Sequence, residues 1–135
     1  MDNQKVSVSI PYIGKDLSVN HCYTGRQRTM VKTHVRRWQM ILEHMVRGNI
    51  LKPMPGIWHV RCDGYFKDGR SAPDLSNLAK VSLDAIAAAL EMDDKDLRWH
   101  DGARCFGERE PTLEFTIWQE DDRGHRGEGT KGEGF

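Results

Sequence analysis

The residue types that could support metal-assisted chemistry are concentrated near the middle of the chain. Asn77, Lys80 and Asp84 follow one another at spacings of three and four, which place them on one face of a helix. Asp74 precedes that helix and Asp94 follows it. Mg²⁺ prefers oxygen ligands and usually takes one or two carboxylates with waters and a substrate phosphate. A nearby lysine can stabilise charge on that phosphate. Asp74, Lys80 and Asp94 are therefore the candidate catalytic residues.

The candidate metal ligands are Asp74 and Asp94, with Asp93, Ser76 and Asp84 as further candidates. A helix between the first two would be about 21 Å long. Either the segment after the helix folds a long way back, or a second chain contributes, and the sequence leaves both open. A structural alternative also stands for each residue. Asp74 or Ser76 could cap the helix, and the remaining carboxylates could form surface ion pairs or a solvated turn.

The charges are unevenly distributed although the formal net charge is +0. Basic residues dominate between Thr24 and Lys52, and acidic residues dominate between Asp84 and Asp96. This pattern fits a phosphate-binding surface beside a cation site, or else two oppositely charged faces that pair with each other. The candidate phosphate contacts in the basic stretch are Arg26, Arg28, Lys32, Arg36 and Arg37.

The elements that must position these residues can be predicted from hydrophobic periodicity. Alternation predicts strands over Lys5–Ile10, Ile57–Phe66, Leu97–Phe106 and Thr112–Gln119. Helical spacing predicts helices over Thr33–Val46 and Asn77–Leu90, and residues 14–28 are predicted to form a loop. In the first helix the predicted apolar stripe contains Val35, Trp38, Ile41, Leu42 and Met45.

This element order predicts an α+β fold, with a mixed sheet of about four strands packed with two helices. Residues 1–120 are expected to form a single domain. Residues 121–135 are rich in glycine and charge and contain almost nothing apolar, so they are predicted to be a disordered tail.

Composition argues against several other classes of protein. The chain has no apolar run long enough to span a membrane and no signal-peptide pattern at its start. Its 3 cysteines are widely spaced, which argues against a disulfide framework or a zinc ribbon and favours reduced thiols. The 6 histidines lack metal-ligand spacing and are interpreted as structural or exposed. We therefore expect a cytoplasmic protein with no membrane partner.

The central stretch resembles the RusA family of Holliday-junction resolvases, which occurs in bacteria and prophages. The family pattern is matched by Asp74-Leu75-Ser76-Asn77-Leu78-Ala79-Lys80, then Asp84-Ala85-Ile86, then Asp93-Asp94-Lys95-Asp96-Leu97. An earlier piece, Ser18-Val19-Asn20-His21-Cys22-Tyr23, also resembles the family's motif after the first strand. The resemblance extends over roughly residues 6–119, and the central motif is its most specific part.

The resemblance implies a homodimer that cuts two strands symmetrically at a four-way DNA junction, using Mg²⁺ or Mn²⁺. The family's catalytic acids match Asp74 and Asp94, and its essential lysine matches Lys80. Asn20 and Asn77 join the candidate DNA contacts. Family dimers bring acidic positions together near the subunit interface, which would allow Asp74 and Asp94 to share a site although a helix separates them.

One departure from the family concerns Ser76, which stands where the family usually has a second aspartate. A serine can hold a metal-bound water or cap a helix, but it cannot supply the same charge. The expected function is metal-dependent junction cleavage in DNA recombination and repair. The alternatives are a branched-DNA-binding protein that is weakly active or inactive, and a small phage structural or adaptor protein.

Overall fold

A four-stranded sheet and two helices form the domain in the computed structural model, which describes residues 5–24, 30–50 and 52–120. The strands are β1 (Lys5–Pro11), β2 (Tyr23–Thr24), β3 (Met30–Val31), β4 (Trp58–Phe66), β5 (Leu97–Phe106) and β6 (Thr112–Gln119). The helices are α1 (Thr33–Asn49) and α2 (Ala79–Leu90), and short 3-10 turns cover Lys15–Leu17, Leu75–Leu78 and Asp94–Asp96. The predicted tail lies outside the described residues.

The main sheet has the strand order β1-β6-β4-β5. β6 pairs antiparallel with both β1 and β4, whereas β4 and β5 are parallel. A parallel pair needs a crossover connection, and α2 forms it. The predicted α+β class, with a mixed four-stranded sheet and two helices, is confirmed.

The helices cover one face of this sheet, and the hydrophobic core lies between them and the strands. Along β4, Trp58, Val60 and Cys62 are buried, while Arg61 on the opposite face is exposed. This alternation follows from the two-residue period of a strand. Trp38 of α1 also donates from Nε1 to the Pro11 carbonyl at 2.8 Å, which ties the helix to the end of β1.

The predicted apolar stripe of α1 is wrong at one position. Ile41 is 54% exposed, whereas Gln39 is only 2% exposed. The reason is that α1 packs on α2 as well as on the sheet, and Gln39 faces α2. Its side-chain amide donates to the Val81 carbonyl at 3.0 Å, so this polar group is satisfied inside the core. The helix also continues past its predicted end at Val46, to Asn49.

The predicted loop over residues 14–28 contains ordered structure in its described part. Leu17 and Cys22 are completely buried, and the 3-10 turn brings the first of them into the core. Tyr23 then pairs with Val31 in a two-stranded ribbon of β2 and β3. The segment is mostly polar, and its few apolar residues show no sustained periodicity, which explains why the pattern predicted a loop.

The second predicted helix begins with a different geometry. Residues Leu75–Leu78 form a 3-10 turn, and the α-helix starts at Ala79 rather than Asn77. It ends where predicted, at Leu90, because Glu91 adopts a left-handed conformation with φ of 56°. In the part of the chain that the structure describes, no helix is long and apolar enough to cross a membrane.

Candidate functional site

Asp74 lies at the entrance to the 3-10 turn that leads into α2. Its backbone is extended, and its side chain makes no capping hydrogen bond. The turn is held instead by the backbone, since the Asn77 amide donates to the Asp74 carbonyl at 3.0 Å. The capping alternative is therefore not observed for Asp74, and its exposed carboxylate has no hydrogen-bond or ion-pair partner among the described residues.

A recess of about 230 Å³ opens beside this carboxylate. One side is formed by Asp74, Leu75 and Ser76, and the other by Asp101, Gly102 and Arg104 of β5. We call these six residues the Asp74 recess. It joins the start of the motif predicted from sequence to a strand that the sequence reasoning did not connect with it.

The two charged residues from β5 are held in defined positions. The Trp99 indole donates from Nε1 to Asp101 Oδ1 at 2.7 Å. The Arg104 guanidinium donates to the Pro73 carbonyl at 3.3 Å, directly before Asp74, and lies 6.0 Å from the centre of the Phe106 ring. The recess therefore contains two carboxylates and a guanidinium, a set suited to a cation and a phosphate.

A β-bulge explains why Asp101 and Arg104 face the same side of the sheet. Residues three apart in a regular strand point to opposite faces. Here the register between β4 and β5 shifts between Cys62 and Gly64. Asp101 pairs with Cys62, and Arg104 pairs with Gly64. Both partners face the helices, and Arg104 is thereby turned towards Asp74.

Lys80 and Asp84 form the ion pair that their spacing predicted, with 3.3 Å between Nζ and Oδ2. The pair is about half exposed. Asp84 is the main cause of a raised pKa at Lys80, and Tyr23 and Asp94 contribute to the same shift. Lys80 is thus electrostatically linked to Asp84 and Asp94, while Asp74 and Ser76 share a recess with β5.

Asp74 and Asp94 lie at opposite ends of α2. The helix has 12 residues and is therefore about 18 Å long. Asp94 starts a 3-10 turn after the helix, and its neighbour Asp93 uses its own carboxylate to accept from the Lys95 amide at 3.1 Å. Asp93 lines a different recess, together with Leu90. Asp94 does not line the recess that contains Asp74.

The two stretches that carry the family resemblance are in direct contact. The Val19 amide donates to the Asn77 carbonyl at 2.9 Å, so the early motif packs against the start of the central one. Asn20 beside this contact is exposed, and Tyr23 influences the pKa of Lys80. Segments far apart in sequence therefore lie side by side at the start of α2.

The candidate DNA contacts differ in their surroundings. Arg36 and Arg37 are exposed on α1, whereas Lys32 forms an ion pair with Asp16 at 3.0 Å. Arg26 and Arg28 lie outside the described residues. Arg47, also in the basic stretch, bonds Glu43, Glu91 and the Ala88 carbonyl, so it links α1 to α2.

The residues of the Asp74 recess fit Mg²⁺ better than they fit a structural zinc ion. Among the described residues, no group of three or more His, Cys, Asp or Glu side chains is arranged to hold a metal ion. Structural zinc needs four such ligands. Mg²⁺ needs fewer protein ligands because waters and substrate phosphate complete its shell. The carboxylates of Asp74 and Asp101 match that smaller requirement.

A ring cluster on the opposite face of the sheet was not predicted. His59 and Trp118 stack with 5.1 Å between ring centres. His59 also bonds His100 at 2.8 Å and Glu120 at 2.9 Å. Burial, then His59, then Arg61 lower the pKa of His100. His59 and His100 are thus part of one hydrogen-bonded ring stack on this face of the sheet.

Comparison with protein-family models and with curated proteins found no match for this chain. The likeness to the RusA family therefore rests on the motif residues and their spacing. Only the fold class among the expectations that accompany it is confirmed.

Proposed function

We propose that this protein is a metal-dependent endonuclease that acts as a homodimer on four-way DNA junctions. The observation that carries the proposal is the Asp74 recess, which the first aspartate of the motif lines together with Asp101 and Arg104. Two carboxylates suit Mg²⁺, and a guanidinium suits a phosphodiester. The contact between Val19 and Asn77 adds support, because it brings the two motif segments side by side.

In this proposal Asp74 and Asp101 hold Mg²⁺ or Mn²⁺, and Asp94 reaches the site from the partner protomer. When bound, the ion polarises the scissile phosphate and activates water. Ser76, exposed at the rim, can hydrogen-bond a water of the ion's shell. Asp101 would supply from β5 the carboxylate that the motif lacks at Ser76, which makes the serine compatible with activity.

Lys80 has the role of an electrostatic stabiliser of the transition state. The ion pair with Asp84 keeps its ammonium charged, and its half-exposed position leaves it accessible to a DNA backbone. Arg36 and Arg37 on the exposed side of α1 would contact backbone phosphates, which gives salt-sensitive binding with little sequence content. The cytoplasm, where recombination substrates occur, is the proposed location.

The test is to incubate the full chain with a synthetic four-way junction and with linear duplex, with and without Mg²⁺ or Mn²⁺. We expect paired cuts in the junction that require the metal. Asp74→Asn should abolish cutting and preserve binding, because it removes a charge and keeps the shape. Cleavage by Asp74→Asn at the wild-type rate would remove Asp74 from the site.

A junction-binding protein without activity is the second candidate, and Ser76 is the observation that favours it. If Asp101 does not serve as a ligand, this protomer supplies one carboxylate fewer than the family pattern. Tight and salt-dependent binding to the junction, without cuts in either metal, would support this candidate over the nuclease.

A further inference from the structure

The β-bulge in β5 has a cause on the far side of the sheet. Asp63 of β4 faces away from the helices and accepts a hydrogen bond from the Ala103 amide at 2.8 Å. Its side chain is only 14% exposed, and Arg61 clamps it with a contact of 3.0 Å. Asp63 thus satisfies the amide that the bulge takes out of the regular strand pairing.

Gly102 leaves the space that this arrangement requires. A Cβ atom there would collide with the Asp63 carboxylate and would lie 2.7 Å from the Cys62 carbonyl. Asp63 and Gly102 therefore fix the bulge between them, and a bulge is a known means of redirecting a side chain beside a functional site. The side chain redirected here is that of Arg104.

We propose that Arg104 is the phosphate-binding group of the Asp74 recess, and that Asp63 is the positioning residue that holds it there through the bulge. This inference rests on the proposed function, since the phosphate belongs to DNA. Arg104 lines the recess with both carboxylates, and its guanidinium already makes a hydrogen bond to Pro73. Remaining N–H groups of the guanidinium can engage a phosphate oxygen.

The chain offers a matched control for Arg104. Arg98 is an exposed arginine on the same strand, and its guanidinium also donates to a backbone carbonyl, that of Lys95 at 2.6 Å. It does not line the Asp74 recess. Replacing each arginine by glutamine therefore removes one charge from β5, but only one of the two changes affects the recess.

The first measurement is the affinity of full-length protein for a four-way junction as a function of salt concentration. Loss of one phosphate contact lowers the slope of log K against log salt by about 0.9. We expect this change for Arg104→Gln and no change for Arg98→Gln. Equal slopes for Arg104→Gln and wild type would overturn the role of Arg104.

Asp63 is tested by two replacements. Asp63→Asn keeps an oxygen that can accept from the Ala103 amide and should bind the junction with the wild-type slope. Asp63→Ala removes this oxygen and should show the same reduced salt slope as Arg104→Gln. Because Asp63 acts through Arg104, the double variant should bind no more weakly than Arg104→Gln alone. An additional loss in the double variant would show that Asp63 acts by another route and overturn its assignment.

A measurement without DNA separates this inference from the proposed function. The Trp99 indole proton reports the position of Asp101, and exchange of the Ala103 amide reports the bulge. Asp63→Ala should shift the indole resonance and accelerate that exchange, whereas Asp63→Asn should do neither. If neither signal responds to Asp63→Ala, the bulge assignment is wrong.

If wild type does not bind the junction, the proposed function fails while these two signals still test the bulge. Should Asp63→Ala not fold, the two arginine variants still decide the role of Arg104, and a changed salt slope for Asp63→Asn would overturn the role of Asp63.

Discussion

A subunit-complementation experiment tests whether Asp74 and Asp94 act together across a dimer. The 12 residues of α2 separate its ends by about 18 Å. Two oxygens on one Mg²⁺ lie within about 4 Å of each other, because each is about 2 Å from the ion. Both carboxylates would reach one ion within a single protomer only if the segment after α2 folded back along the helix, whereas a twofold dimer can pair Asp74 of one chain with Asp94 of the other.

The perturbation is a heterodimer with Asp74→Asn in one chain and Asp94→Asn in the other. In the proposed arrangement both lesions fall in the same site, and the second site is intact. We expect each variant homodimer to be inactive. The heterodimer should nick the junction at about half the wild-type rate and make no paired cuts, because one of two sites is restored.

The assay is nicking of a labelled four-way junction by heterodimer purified through two different affinity tags. A heterodimer of Asp74→Asn with Asp101→Asn is the matched control, because these two residues share one recess and no intact site can form. The reasoning is refuted if the heterodimer of Asp74→Asn with Asp94→Asn is as inactive as its parents. Asp94 would then act within its own chain.

Three further predictions concern the recess, the ring cluster and the core. Ser76→Asp should raise activity at low Mg²⁺ if carboxylate charge limits metal binding, and an unchanged metal dependence would separate Ser76 from the site. The lowered pKa of His100 means that the unfolded chain binds a proton first as the pH falls below about 6.5. Stability should therefore decrease on acidification through that range, more steeply in wild type than in His100→Gln, and urea unfolding at several pH values would measure it. Gln39→Ala should lower the free energy of unfolding by about 1–3 kcal/mol, because a buried side chain and its bond to Val81 are lost. Met40→Ala, at a neighbouring position that is 56% exposed, should change it by less than about 0.5 kcal/mol in the same urea experiment.

Local patterns were sufficient to predict most of the fold. The bounds of β5 and β6 agree with prediction, because alternation and the glycine and proline between them mark strand ends clearly. α2 ends at Leu90 as predicted. Ile41 was misplaced because hydrophobic spacing defines one face of a helix, while α1 contacts both the sheet and α2. Hydrophobic spacing along one helix does not show which of its residues pack on the sheet and which pack on a second helix.

The candidate site was predicted in part, for a similar reason. Asp74, Ser76 and Lys80 follow from the spacing of a single segment, whereas Asp101 and Arg104 join the recess through the register between two strands. That register depends on the contact of Asp63 with Ala103, which is tertiary. Gly102 inside an alternating strand was the available signal, since a glycine there often marks a bulge.

The same register changes how Ser76 is understood. In the motif alone, Ser76 stands two residues after Asp74, at the position where the family usually has a carboxylate. In the folded chain Asp101 enters the same recess from β5, so two carboxylates are present although the motif supplies one. The bulge also places Arg104 in this recess, and its positive charge is opposite to that of the two carboxylates. A recess that holds carboxylates and a cation together, without direct ion pairing among the described residues, keeps both ready for external partners of opposite charge. A divalent cation bound between the carboxylates and a phosphate bound at Arg104 would satisfy both at once.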